Sequence, residues 1–561
     1  MQKQQIEKGE ALFFAAIAAL AFILFLGAPP LFDWDEINFA ESAREMMVSG
    51  DYFRVQINFQ AFWEKPPLFF WMQVLSMKVF GVNEFAARFP NALIGIITIL
   101  SLYYHGSKLK DRLFGRILVG FYFATILPVA YFKSGIIDPT FNFFIFLGLI
   151  NIFHYERLKE SDPENEENKQ RPWGAGFWIG MATLTKGPVA LLVSGLTYGV
   201  YKAIFDKFRI PVGASIKFFL AWLILVLGWY GLETFVHGPS FVTEFIEYQI
   251  GLFSQNIAGH QRPFYYHFFV FCLGCFPMAA FAFRGMFIKQ ENPSDKSLWA
   301  FMLVWFWVVM ILFSVVTTKI VHYSSLLYFP GAFLAAFCLY SFLKEEAKAK
   351  WDTYLLMGIG IIIWGLFPSL INWIEQNLAS WASSADEFTA ALMRAEVDWT
   401  GWEWMIGAFF LLGSLAALSL LIQKKYLQFL WVQVLVSLIF INLFYKLVVP
   451  NIGLYSQGAP QEFFEERAGE DAYYITAGYK SYLPYFYGKV KPITREEAKE
   501  KEWLISGPVD KTVYLSAKKS RINEAFHERF RNFELLYSKG GFSFYRRKAS
   551  IPLRANTKRV P

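Results

Sequence analysis

The sequence predicts a polytopic, all-α membrane protein with a small α/β domain at its C-terminal end, and three observations predict it. Of the 561 residues, 55% are hydrophobic and only 18% charged, with a positive mean hydropathy, a balance too apolar for a chain folded in water. Apolar runs of roughly 18 to 22 residues recur, each long enough to cross about 30 Å of hydrocarbon as a helix that satisfies its own backbone. After residue 446 these runs stop, and short strand-like and helix-like patterns alternate.

About thirteen spans are expected, at residues 11–29, 88–106, 115–133, 136–154, 173–186, 188–205, 217–236, 264–283, 298–316, 324–343, 352–373, 402–422 and 426–446. The first follows a charged start, and Gly27-Ala28 runs straight into Pro29-Pro30 without a small-residue cleavage site. It is therefore read as a retained signal anchor. Alternate connections are basic, among them Lys108, Lys110, Arg112 and Arg116, then Lys202, Lys207, Arg209 and Lys217, and these are expected on the cytoplasmic side. The loop 30–87, the turns near Asp138, Lys186 and Lys319, the 237–263 connection and the tail from 447 then face outward. The net charge of +7 follows from this topology and gives no sign of a nucleic-acid partner. Cys272, Cys275 and Cys338 all fall within expected spans, where a thiol is a small packing residue, and no disulfide framework is implied.

The outer loop 30–87 is too long for a turn and carries two helical patterns, read as interfacial helices. Asp35 is placed to cap the first, with Phe39, Ala43 and Met46 or Met47 on one face, and Pro66-Pro67 opens the second. The charged stretch from Glu156 to Arg171 has no apolar face and is expected to be a solvated loop without a catalytic role. In the tail, strands are expected at 473–477 and 513–517, a Thr494-x-x-Glu497 capping box opens a charged helix, a second helix lies near 520–530, and Gly540-Gly541 turns a hairpin. The division is thus a transmembrane domain, 1–446, and an outer α/β domain, 447–561.

Span interiors are almost free of ionisable residues, which argues against an ion-coupled transporter. The chemistry-bearing residues, Asp35, Glu64, Lys65, Lys133, Asp138, Lys186, Glu247, His260, Arg262, Lys319 and His322, map instead to the outer ends of spans or to outer loops. Each taken singly is as well explained as an interfacial anchor. Together, several cations with a few carboxylates, rimmed by Trp and Tyr, suit the binding of a lipid-linked phosphate and the activation of an acceptor.

At this point the residues resemble a family. Asp35-Glu36-x-x-Phe39-Ala40-Glu41-x-Ala43-Arg44-Glu45-Met46, then Gly50-Asp51, then Phe62-Trp63-Glu64-Lys65-Pro66-Pro67, is similar to the amino-terminal signature of the bacterial lipid A aminoarabinose transferases, within the protein O-mannosyltransferase-like glycosyltransferases of GT-C fold. Gly135 to Pro139 resembles the family's second acidic motif, and Thr183 to Pro188 its Thr-Lys-Gly turn. His260-x-x-Pro263-Phe264-x-Tyr266 and Phe313 to Tyr323 are further similar elements. The resemblance covers roughly residues 11 to 345.

It implies a multi-pass protein of the bacterial inner membrane, with its site and C-terminal domain on the periplasmic side. The implied reaction is inverting transfer of a sugar from polyprenyl, undecaprenyl, phosphate to lipid A or a related envelope glycolipid. Protein Ser or Thr is the alternative acceptor, and a lipid flippase is less expected. No nucleotide cofactor is implied, and no Rossmann-like glycine fingerprint occurs. Asp35 would be the general base or the group steering an acceptor phosphate, with Asp138 a second catalytic carboxylate. Lys65, Lys186, Arg262 and Lys319 would bind the donor phosphate. Glu36, His322 and Tyr323 are further site candidates. The resemblance also permits a divalent metal ion at Glu64 and His260.

Overall fold

The structure, a computed structural model, describes residues 7–159, 162, 165–254 and 262–550. The first nine helices are Lys8–Ile23 (α1), Asp35–Ser49 (α2), Leu68–Phe80 (α3), Glu84–Leu109 (α4), Arg112–Ala124 (α5), Ile126–Phe132 (α6), Asp138–Leu158 (α7), Glu166–Lys186 (α8) and Val189–Phe205 (α9). Longer apolar helices follow at Val212–His237, Pro293–Val315, Val321–Leu343, Trp351–Ser369, Trp404–Ile422 and Tyr426–Leu447.

With α4, seven helices among the described residues are long and apolar enough to cross a membrane. The number rises to nine if α5 with α6, bent by 77°, and Tyr266–Gly274 with Met278–Gly285, bent by 117°, each count as one span. The chain is a multi-span membrane protein. Every one of the thirteen expected segments meets a helix, but several fall short as independent spans. α1 has 16 residues and α9 has 17. α7 carries Asn142, Asn151 and His154, and α8 begins with Glu166, Glu167 and Lys169. Such helices need neighbours to cover their polar groups.

Among its described residues, the charged stretch 156–171 is mostly helix rather than loop. α7 runs through Leu158, and α8 starts at Glu166 with the Asn165 side chain accepting from the Asn168 N–H. Glu166 and Glu167 complement the positive end of that helix, and Glu166 and Glu167 pair with Lys169 and Arg171 along it. The sequence reading missed this because these pairs, and not an apolar stripe, support the first turn.

α2 also differs from expectation. Trp34 precedes it, and Asp35 is its first residue without serving as a side-chain cap. Nor does the helix lie with one face on a surface: every residue from Glu36 to Met46 is buried. Its charges are absorbed by partners instead. Arg44 donates to both Glu41 oxygens, at 2.7 and 2.6 Å, and to the Val490 carbonyl at 2.9 Å. Glu45 accepts from the Asn58 and Phe59 N–H groups, at 2.6 and 2.7 Å. Those two residues, both at left-handed φ, turn the small hairpin of Gln56–Ile57 (β1) and Gln60–Ala61 (β2). Burial, with Glu41 alongside, pushes the Glu45 carboxyl well above the usual carboxylate range.

The C-terminal part carries Ala472–Ala477 (β3), Thr512–Lys518 (β4), Glu534–Lys539 (β5) and Phe542–Arg547 (β6), in the spatial order β3-β4-β6-β5. β3 and β4 are parallel and the other pairs antiparallel. Gly540 and Gly541, both at positive φ, turn β5 into β6. Thr494 caps nothing: Arg495 precedes a 3-10 turn at Glu496–Lys499, and a separate helix follows at Lys501–Ser506. The second expected helix is Glu524–Arg529, capped by Asn523.

This part is stitched to the segment before α2. The Leu31 N–H donates to the Tyr487 hydroxyl at 2.8 Å, and the Asp33 N–H to Gln457 Oε1 at 3.1 Å. Gln457 Nε2 in turn donates to the Leu31 carbonyl at 2.7 Å, and the Tyr482 N–H to Asp33 Oδ1 at 3.2 Å.

Candidate active site

A cavity of about 1020 Å³ lies where α2, the Glu64-Lys65 loop, α7, the end of α8 and the turn before Tyr328 meet. Asp35, Glu36, Glu64, Lys65, Asp138, Lys186, His322 and Tyr323 line it together. Eight candidate residues from five separate stretches therefore share one hollow.

Asp35 opens α2, where a carboxylate is favoured by the helix dipole. Its Oδ2 stands 4.0 Å from His322 Nε2, and both side chains keep about a third of their surface open, at 34% and 30%, so a substrate can reach them. On the far side of the ring, His322 Nδ1 lies 2.9 Å from the Tyr131 hydroxyl. The order Tyr131, His322, Asp35 fixes the imidazole between a hydroxyl and a carboxylate.

Asp138 stands in the first turn of α7, beside Pro139, which suits a helix start. It is not a cap; its Oδ1 accepts from Lys186 Nζ at 2.5 Å. Lys186 is the last residue of α8, and Gly187 follows it at φ +112°, where a Cβ would stand 2.6 Å from the Phe245 ring. Only glycine fits that close turn, which aims Lys186 back at the cavity. The ammonium also sits 5.3 Å from the Tyr323 ring centroid.

Lys65 lies 3.9 Å from Glu64 and 5.1 Å from the Tyr248 ring centroid. Burial pushes its pKa below the ordinary lysine value. Glu64, Asp35 and Asp138 oppose that shift and Lys186 adds to it. Two cations and three carboxylates thus act on one another across the cavity.

Glu36 is committed elsewhere. One oxygen accepts from Arg88 Nε at 2.9 Å and from the Gly135 N–H at 2.5 Å; the other accepts from an Arg88 terminal nitrogen at 2.8 Å and from the Phe32 N–H at 2.9 Å. Burial raises its pKa, but the Arg88 charge and these hydrogen bonds outweigh it, leaving the carboxyl below its usual value. Arg88 also donates to the carbonyls of Leu26, Pro29 and Pro30. The pair ties the loop before Asp35 to the loop before Asp138.

Two phosphate-binding candidates are not among the lining residues. Lys319 is buried, with its Nζ donating to the Val316 carbonyl at 2.7 Å, although its neighbour Thr318 lines the cavity. Arg262 is exposed. His260 lies outside the described residues, so its pairing with Glu64 has no geometry here. Among the described residues no group of three or more His, Cys, Asp or Glu side chains gathers as a metal site. Glu64 instead lies 3.9 Å from Lys65.

The structure places one more of the listed charges, Lys133, and adds residues the sequence did not single out. Lys133 lines the cavity with its Nζ on the Leu24 carbonyl at 2.6 Å and Asn442 Oδ1 at 3.0 Å. Its signal was its place at the mouth of an expected span. Arg88 carried only the weak signal of a charge at the first position of a span. Tyr248, Tyr445 and Lys480 carried none, because their approach to the site depends on long-range packing.

Residues 64–229 match the family described as dolichyl-phosphate-mannose-protein mannosyltransferase. Over 327 residues the chain is 28% identical to an uncharacterised protein of Aquifex aeolicus, covering 56% of this chain and 60% of that one. Over 333 residues it is 24% identical to the undecaprenyl phosphate-alpha-4-amino-4-deoxy-L-arabinose arabinosyl transferase of Wigglesworthia glossinidia brevipalpis, covering 57% and 58%. The aligned stretch thus spans about three fifths of each of these curated relatives. The crystal structure of ArnT from Cupriavidus metallidurans bound to undecaprenyl phosphate superposes with a TM-score of 0.75 at 17% identity, over 98% of this chain and 99% of that one.

The chain is similar over part of its length to aminoarabinose transferases and to the protein mannosyltransferase family, and it shares the fold of ArnT. The family match begins at Glu64 and runs across Asp138 and Lys186, so it takes in part of the cavity wall. The fold likeness extends through the C-terminal sheet as well.

Proposed function

We propose that the protein is an inverting glycosyltransferase that moves a sugar from a polyprenyl phosphate, undecaprenyl phosphate in bacteria, to lipid A or a related envelope glycolipid at the outer face of the inner membrane. The observation that carries this is the cavity in which Asp35 faces His322, Lys186 stands beside Asp138 and Lys65 beside Glu64. The curated relative's name, an arabinosyl transferase using an undecaprenyl-phosphate-linked sugar, supports the donor class. The basic connections support a periplasmic site, helix at every one of the expected segments, broken or short in several, supports the thirteen-span reading, and the docked sheet supports a separate outer domain from residue 447.

In this reading Asp35 accepts the acceptor's proton, or steers an acceptor phosphate that needs no deprotonation, as the acceptor oxygen bonds to the anomeric carbon. His322, held by Tyr131, keeps Asp35 in place. The bond from the anomeric carbon to the phosphate oxygen breaks with its electron pair on that oxygen, and Lys65 and Lys186 stabilise the growing charge. Asp138 positions Lys186. Lys319 and Arg262 are assigned to the donor-phosphate path outside the cavity wall.

The purified protein, given undecaprenyl-phosphate-linked aminoarabinose and lipid A, is expected to add one amino sugar to lipid A, read by mass spectrometry. The family description of a protein mannosyltransferase favours a second reading, transfer to Ser or Thr. Glycopeptide formed from a polyprenyl-phosphate mannose, with lipid A untouched, would select it.

Because burial lowers the Lys65 pKa below 10.5, raising the pH removes that cation sooner than it would a free lysine. Donor affinity is therefore expected to fall as pH rises, at a pH lower than that at which a free lysine loses its proton, and to stay nearly flat in Lys65→Arg, whose side chain keeps its charge. Titration of donor binding in both proteins checks this; parallel curves would remove Lys65 from the phosphate site.

A further inference from the structure

The C-terminal part contributes a cation to the cavity. Lys480, in the turn after β3, is among the lining residues. It is exposed at the rim, and no carboxylate stands within 4 Å of its ammonium among the described residues. It differs in this from Lys65 and Lys186, which have Glu64 and Asp138. Nor is it loosely held: its Nζ sits 4.5 Å from the Trp34 ring centroid and 5.5 Å from that of Tyr482, and those rings meet edge to face at 5.2 Å. Trp34 is the residue before Asp35. The hydrogen bonds of Asp33 to Tyr482 and Gln457 set the register on both sides. A lysine whose ammonium rests against two rings, with no carboxylate within 4 Å among the described residues, is arranged to meet an anion arriving from outside.

We propose that Lys480 binds a phosphate of the acceptor's headgroup other than the one that receives the sugar, so that the C-terminal part supplies an acceptor subsite. This rests on the glycolipid reading of the same cavity. The position separates the two lipid substrates. A donor phosphate is attached directly to its prenyl chain and must lie deep, near Lys65 and Lys186. A phosphate carried on a sugar headgroup stands further out, at the rim where Lys480 is exposed. The role is one of binding and specificity, since Lys480 touches no reacting atom.

Equilibrium binding carries the test, independently of turnover. The detergent-solubilised full chain is titrated with bisphosphorylated lipid A and with its two monophosphoryl forms. Wild type is expected to bind the bisphosphorylated lipid about fivefold to tenfold more tightly than at least one monophosphoryl form, the range for one charge-assisted contact at an exposed rim. Lys480→Ala removes that preference, Lys480→Arg restores it, and donor affinity is unchanged in both. Equal binding of all three lipids by wild type, an equal loss on all three in Lys480→Ala, or a loss confined to the donor would each overturn the subsite. A phosphate preference that depends on Lys480 in a protein that transfers no sugar would sink the transfer reading and leave the subsite standing. Transfer without that preference would do the reverse.

Discussion

Asp35→Asn is expected to lower the turnover of sugar transfer by a factor on the order of 10² to 10⁴, the usual cost of losing a positioned acid or base group. The substitution keeps the shape of the side chain and removes only its charge and its capacity to take a proton. Folding should survive it, because Asp35 is about one third exposed and caps no helix. His322 then faces a neutral amide 4.0 Å away in place of a carboxylate. Donor affinity should change little, since the cations nearest the phosphate are Lys65 and Lys186. A folded Asp35→Asn protein with normal turnover would reject Asp35 as base or steering group, whatever the acceptor.

The second large effect falls on stability. Arg88→Met leaves Glu36 buried with two backbone N–H donors and no counter-charge, and breaking a buried pair in this way costs about 3 to 5 kcal/mol. Arg88 is only 1% exposed and Glu36 only 5%, so water cannot replace the lost partner. Three carbonyls, of Leu26, Pro29 and Pro30, lose their donor as well. The thermal unfolding midpoint in detergent should drop sharply, while the double variant Glu36→Leu/Arg88→Met recovers a good part of the loss, because the orphaned charge has gone. If the double variant is no more stable than Arg88→Met alone, the pair is not what holds these loops.

How far the site was legible in the sequence depends on how local its signals are. The Glu64-Lys65 step, Asp138 before a proline and Lys186 before a glycine are local patterns, and each is brought to the cavity. The apolar runs likewise announced the helices, because their length is set by the bilayer. What failed was inference from exposure. Asp35 was placed as a cap and α2 as an interfacial helix because Phe39, Ala43 and Met46 or Met47 share one face, yet Glu36, Glu41, Arg44 and Glu45 on its other faces are buried as well. They are buried because Arg88, Val490 and the hairpin at Asn58 satisfy them, and those partners lie up to 446 residues away. The Glu156 to Arg171 stretch failed for a related reason, its helix being supported by charge pairs. Lys480 had no signal at all: nothing near it in sequence indicates that its ring partner is Trp34.

The stitching of residues 31–44 to residues 457–490 has a consequence for how the protein comes into being. A growing polypeptide leaves the ribosome from its N-terminus, so the stretch that carries Asp35 is made early and must wait for hundreds of later residues before Leu31, Asp33 and Arg44 meet Tyr487, Gln457, Tyr482 and Val490. Until then those groups have water or lipid headgroups for company, and the mouth of the hollow lacks the rim that carries Lys480. Competence is therefore reached late and all at once, when a stretch in the last fifth of the molecule settles onto one in the first tenth.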